Sequence, residues 1–206
     1  MRLIMSKIGI MGGTFDPPHC GHLNIAEIVY NNTDADKIMF LPSGTPAYKL
    51  SEHAVSSKED RLNMLNLLID GLDWCFISEL ECEREGNTYT SDTLEYLKEN
   101  DPENEYFLII GSDSLRNFKT WHCPEVISRL AQIVVYLRGD DSLDRMKKIA
   151  SKYNSEFGTI ITFVEGPIYN ISSTQIRNAV KSGGELVEFL PEKIAKYIKE
   201  HGLYME

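Results

Sequence analysis

Along nearly the whole chain, short apolar runs alternate with stretches in which apolar positions recur every three to four residues. The runs at 7–11, 37–42, 74–78, 106–111, 133–138 and 159–164 are apolar almost throughout and predict buried strands. The stretches between them predict helices. At 23–30, Leu23, Ala26 and Tyr30, with Ile25 and Val29, keep helical spacing, and at 58–69 Leu62, Leu65 and Ile69 form one stripe. Helices are also expected at 91–99, capped near Thr90 or Ser91, and at 143–153. Two more close the chain at 174–181 and 191–201, the latter with Pro191 at its first position. Residues 43–57 are expected to be a long polar loop.

Strands this continuously apolar, separated by helices, predict an α/β protein with a doubly wound, mainly parallel sheet and helices on both faces. Ligands of such sheets sit beyond the carboxyl ends of the strands, near a switch point in strand order. Gly12-Gly13, Pro42-Ser43-Gly44, Gly111-Ser112-Asp113 and Arg138 all fall just after a predicted strand, so they should converge on one edge. No internal repeat or linker divides the chain, and a single domain over residues 1–206 is expected.

The bulk numbers then narrow the class. The 206 residues are 42% hydrophobic and 25% charged, ordinary for a globular protein. The formal charge of −10 argues against nucleic acid as a partner. A phosphate substrate would therefore need a locally built positive site. Cys20, Cys75, Cys82 and Cys123 lack the spacing of a zinc site or redox pair, and Cys75 and Cys123 are expected as buried thiols. Lys7 interrupts the apolar start of the chain, which does not fit a signal peptide, and no stretch suits a membrane span. A cytoplasmic location is expected, and the sequence leaves a homo-oligomer open.

Residues 12–22 carry the densest chemistry: Gly12, Gly13, Thr14, Phe15, then Asp-Pro-Pro, His19, Cys20, Gly21 and His22, directly after the first strand. The two glycines allow positive φ and close ligand approach. His19 and His22, three apart at a helix start, face the same way, and with backbone N–H groups they suit an anion. Two histidines without a third ligand nearby do not make a zinc site. In Ile171-Ser-Ser-Thr-Gln-Ile-Arg177, Ser172, Ser173 or Thr174 can cap a helix. Arg177 is then expected in the first turn, where the helix dipole disfavours a cation unless a phosphate is bound. Asp113, after the most apolar strand, suits ribose hydroxyls or a helix cap. Residues 86–93 read as a polar loop leading into a capped helix, and Trp121 offers a flat face for stacking or core packing.

Taken together, GGTFDPPHCGH and ISSTQIR resemble the (H/T)xGH and ISSTxxR signatures of the nucleotidyltransferase superfamily. GNTYTSDTL, LIIGSDSL followed by Trp121, VVYLRG and LPEKIAKYI narrow the resemblance to bacterial nicotinate-nucleotide adenylyltransferases, nearly end to end. The resemblance implies a Rossmann-like fold and a reaction in which ATP and nicotinate mononucleotide give deamido-NAD and pyrophosphate with Mg²⁺, the metal held mainly by the ATP phosphates. It implies catalytic roles for His19, His22 and Arg177. ATP would be bound by Gly12, Gly13, Thr14, Phe15, His19, His22, Gly111, Ser112, Asp113, Ile171, Ser173, Thr174 and Arg177. The mononucleotide would be bound by Lys49, Thr88, Tyr89, Thr90, Trp121 and Arg138. One position departs from the pattern: Tyr48 stands where the family usually has a histidine, while Lys49 is kept. The alternatives are a related transferase acting on nicotinamide mononucleotide or phosphopantetheine, and a nucleotide sensor without turnover.

Overall fold

In the computed structural model the strands β1 (Lys7–Gly13), β2 (Lys37–Pro42), β3 (Cys75–Ile77), β4 (Glu105–Gly111), β5 (Gln132–Tyr136) and β6 (Ile161–Val164) lie side by side in the order β3-β2-β1-β4-β5-β6. The residues described are 5–44, 56–84, 86–137, 142–167, 169, 171–184 and 190–205. Every pairing is parallel. Strand order reverses between β1 and β4, so the carboxyl ends of these two strands frame the crevice where a ligand belongs.

Period-two alternation divides the strand side chains between two cores. Ile38, Phe40, Phe107, Ile109, Val134 and Tyr136 point to one face, whereas Met39, Leu41, Leu108, Ile110, Ile133 and Val135 point to the other. Against the first face pack α1 (Cys20–Asn32), α2 (Lys58–Ile69), α7 (Ser173–Lys181) and α8 (Glu192–Glu200). Against the second pack α3 (Thr90–Asn100), α4 (Ser112–Asn117), α5 (Pro124–Leu130) and α6 (Leu143–Phe157). Each fully buried aliphatic side chain stabilises the fold by about 1.5–3 kcal/mol. Gly9 belongs to this packing, because a Cβ there would sit 2.6 Å from the Ile38 side chain.

The predicted elements are present, with corrections at their ends and faces. α1 begins at Cys20, earlier than its apolar pattern suggests, and its fully buried aliphatic residues are Ala26, Ile28 and Val29. In α2 the buried stripe is Arg61, Met64, Leu65 and Leu68, and Leu62 and Ile69 flank it. Pro191 is the N-cap of α8 rather than its first helical residue, and Tyr89 precedes α3 as a cap without a side-chain bond. The strand expected at 133–138 ends at Tyr136. Cys75 is buried as expected, but Cys123 is half-exposed in a left-handed conformation (φ 47°) ahead of α5.

Candidate active site

The turn after β1 is built differently from its glycine reading. Gly12 and Gly13 continue the strand, and neither has a positive φ. The left-handed residue is Phe15 (φ 52°), whose ring is buried. A Cβ on Gly13 would come within 3.1 Å of that ring, whereas one on Gly12 would meet nothing within 4 Å. Gly13 is thus needed for packing, and Gly12 leaves open space above the strand end.

His19 is the N-cap of α1 and His22 its third residue. The His19 backbone N–H donates to His22 Nδ1 at 3.2 Å, and the two rings stack with centroids 3.8 Å apart. Because Nδ1 accepts, the proton of a neutral His22 ring resides on Nε2, which makes that atom a donor. The edge of Phe15 supports the same ring at 5.0 Å. Gly21 lets these parts meet, since a Cβ there would lie 3.0 Å from both His19 Nδ1 and Ile171 Cγ2.

Two contacts join this turn to the serine–threonine segment. Ser173 Oγ donates to the Pro17 carbonyl at 2.8 Å, and Arg177 Nη1 donates to the Asp16 carbonyl at 2.6 Å. Ser172 is the cap of α7, accepting from the Gln175 N–H at 3.2 Å. Arg177 is the fifth helical residue, one position beyond the expected first turn, and its Nη2 donates to Thr174 Oγ1 at 3.1 Å. Among the described residues it forms no ion pair with a carboxylate.

A cavity of about 360 Å³ opens at the switch point. Gly12, Gly13 and His22 line one side; Gly111, Ser114 and Trp121 line another, with Thr90, Thr93 and Glu81 completing it. Trp121 serves both readings of its ring: it lines the cavity and packs on Phe118 at 5.7 Å. Ser112 is fully buried. Asp113 is exposed, does not cap the helix and pairs with Arg116, so Ser114 replaces it at the cavity wall. Of the loop residues, Thr90 reaches the cavity, Thr88 turns toward Glu81, and Tyr89 is exposed with its ring 4.3 Å from that of His122. Lys49, Arg138 and Tyr48 lie outside the described residues.

Three groups at the site carry no clear signal in the sequence. Glu81 is 8% exposed, accepts from Thr93 Oγ1 at 2.8 Å, and burial pushes its carboxyl above the usual range. Arg61, fully buried, donates through Nη1 to the Thr14 carbonyl at 3.0 Å and the Ser43 carbonyl at 2.7 Å, tying the loops after β1 and β2 together. Tyr204 donates to Asp16 Oδ1 at 2.6 Å from the far end of the chain. Glu81 and Arg61 sit within charge-rich stretches that read as solvated surface, and Tyr204 follows the last helical pattern.

The cytidylyltransferase-like family model matches residues 10–179, the span that holds both joined motifs. The "Probable nicotinate-nucleotide adenylyltransferase" of Lachnoclostridium phytofermentans is 41% identical over 202 residues, covering 98% of this chain and all of the relative. The chain belongs to the nicotinate-nucleotide adenylyltransferase family. A relative of the same name from Clostridium tetani is 36% identical over 97% of this chain and 100% of its own. The nicotinic acid mononucleotide adenylyltransferase of Plasmodium falciparum, solved in complex with NaAD, superposes with a TM-score of 0.80. It covers 97% of each chain at 21% identity, which establishes the shared fold. In this member of the adenylyltransferase family, no helix among the described residues is long and apolar enough to cross a membrane.

Proposed function

We infer that the protein transfers AMP from ATP to nicotinate mononucleotide, giving deamido-NAD and pyrophosphate. The observation that supports this reading is the docking of α7 onto the β1 turn: Ser173 and Arg177 bond the turn that carries the stacked His19 and His22, and His22 lines the switch-point cavity.

The chemistry asks little of the protein as a base. A phosphate monoester has its second pKa near about 6 and is mostly dianionic at neutral pH. One of its oxygens attacks the α-phosphorus of ATP, a new P–O bond forms, and the bond to the bridging oxygen breaks to release pyrophosphate. The requirements are in-line placement and neutralisation of charge on the α-phosphate and the leaving group. His22 Nε2–H and His19 supply donors to the phosphates. Ser173, Thr174 and Arg177 complete the triphosphate cradle, and Ile171 packs against the α1 start. Gly12 and Gly13 give room for close approach, and Thr14 and Phe15 set the path of the turn. Gly111 opens the adenosine side, with Ser112 and Asp113 at the β4 end beside it. In this reading Thr90 meets the ring carboxylate of the mononucleotide, with Thr88 and Tyr89 in the segment that leads to it, and Trp121 stacks on its pyridine. Lys49 and Arg138 are further phosphate ligands in this reading.

Mg²⁺ travels on the phosphates of ATP. Among the described residues no group of three or more His, Cys, Asp or Glu side chains is placed to hold an ion, and the donors named above are suited to phosphate oxygens. When bound, the metal shares the neutralisation of phosphate charge.

Pyrophosphate release should be measured with ATP and, in turn, nicotinate mononucleotide, nicotinamide mononucleotide and phosphopantetheine. Turnover highest with nicotinate mononucleotide is expected. Preference for either other substrate reassigns the acceptor, and binding of ATP without release in any arm points to a sensor.

A further inference from the structure

We propose that Tyr204, from the C-terminal turn, keeps Arg177 available to phosphate by holding the Asp16 carboxylate away from it. The proposal rests on the reading of Arg177 as a triphosphate ligand.

Asp16 places a carboxylate inside the turn that is to receive the triphosphate, and the residue is only 5% exposed. Arg177 reaches the same residue but bonds its backbone carbonyl, at 2.6 Å. A guanidinium bonded to a residue that carries a buried carboxylate has a charge-assisted, bidentate pair as an alternative. It does not, and the carboxylate is committed elsewhere. The Tyr204 hydroxyl donates to Asp16 Oδ1 at 2.6 Å, and the Ser56 N–H lies 3.4 Å from both oxygens.

Tyr204 is presented for this contact by an unusual backbone. It has φ 65°, a left-handed conformation rare for a residue with a Cβ, and follows a turn in which the Leu203 N–H bonds back to the Ile198 carbonyl. Burial, then the charge of Asp16, holds its hydroxyl well above the tyrosine range, so it remains a donor. The chemistry of the donor is the point. A neutral hydroxyl satisfies the carboxylate without supplying a positive charge, so the charge of Arg177 is not spent inside the protein. If the hydroxyl is removed, the buried carboxylate keeps, among the described residues, the weak Ser56 N–H contact, and Arg177, already bonded to the carbonyl of the same residue, is a strong donor it can recruit. ATP must then compete with Asp16.

The test uses full-length Tyr204→Phe, which keeps the ring and its packing. Affinity for a non-hydrolysable ATP analogue is measured by calorimetry, alongside the KM of each substrate. The expected result is about tenfold weaker analogue binding, the scale of one bond to a charged group, with the KM for the mononucleotide unaffected. The double variant Asp16→Asn, Tyr204→Phe should regain ATP affinity, since an amide does not capture Arg177; a purely structural role for Tyr204 would not be rescued. Wild-type analogue affinity in Tyr204→Phe, or no recovery in the double variant, overturns the proposal. Should Tyr204→Phe not fold, Asp16→Asn alone carries the test: removing the competing charge must tighten analogue binding, and binding no tighter than wild type overturns it. Arg177→Ala separates the two readings. Unchanged ATP affinity there removes the phosphate role of Arg177, whereas weakened affinity there beside an unaffected Tyr204→Phe removes only the role of Tyr204.

Discussion

At His22 one backbone hydrogen bond decides what the side chain can do. With Nδ1 occupied by the His19 N–H at 3.2 Å, Nε2 becomes the donor, and stacking on His19 and the edge of Phe15 fix the ring plane. A donor held in place before charge develops contributes most to the transition state, because little reorganisation is needed. His22→Ala should therefore lower turnover by roughly 10²–10³-fold, the loss of about 2.7–4 kcal/mol seen for one such donor. Wild-type turnover in a folded His22→Ala protein would sink this role. Trp121 belongs, in the proposed reading, to the other substrate. Its ring lines the cavity while Phe118 backs it at 5.7 Å. Trp121→Ala should mainly raise the KM for the mononucleotide, with kcat little changed, because stacking on the ring is similar in the ground and transition states. An unchanged KM would take Trp121 out of the ring pocket.

At the scale of elements, the apolar pattern was nearly sufficient. Residues 37–42 and 58–69 are a strand and a helix with the limits the pattern predicts, since local period and burial agree there. What the pattern missed are long-range polar contacts, which leave no period. Arg61 reads as part of the charged face of α2 until the loops after β1 and β2 close over it. Gly12 and Gly13 read as a left-handed turn, but the side chain that takes that strain is Phe15, whose buried ring offsets it. Glu81 shows the same limit: it connects the segment after β3 to α3 through Thr93, with Thr88 also bonded to it. Its carboxyl is raised chiefly by burial, so the folded state binds the proton more tightly than the unfolded chain. Stability from this group is gained as pH falls through its folded value toward the usual 4.5, and above that range the wild type carries the full cost of a buried charge. Glu81→Gln keeps an acceptor for Thr93 and avoids that cost. Relative to wild type, the variant should be most favoured at neutral pH, and its advantage should shrink as pH approaches 4.5. Urea unfolding of both proteins across this range tests it, and a difference independent of pH would show that Glu81 is not held strained in its charged form.

For the whole molecule, the strand order is what turns separate motifs into one site. The reversal between β1 and β4 leaves a crevice into which helices from both faces reach. From one face α1 brings His22, with α7 docked on the same turn; from the other, α3 and the segment between α4 and α5 bring Thr90 and Trp121. An anionic substrate on a chain of charge −10 needs a locally built set of donors, and His19, His22 and Arg177, on the joined ends of α1 and α7, would supply it. It follows that the two substrates should stabilise the fold through separable contacts. A ligand at about 100 times its Kd adds about 2.7 kcal/mol to the unfolding free energy. For a chain of this size that corresponds to a rise in Tm of roughly 5–10 °C. Thermal unfolding with an ATP analogue or with nicotinate mononucleotide, each at such an excess, should show a shift of this order for the wild type. In Arg177→Ala, at the same concentrations, the shift with the analogue should largely disappear, while that with the mononucleotide should persist, because Thr90 and Trp121 are untouched. Trp121→Ala should give the converse pattern. Loss of both shifts in either variant would mean that the two faces do not contribute separable halves of the site.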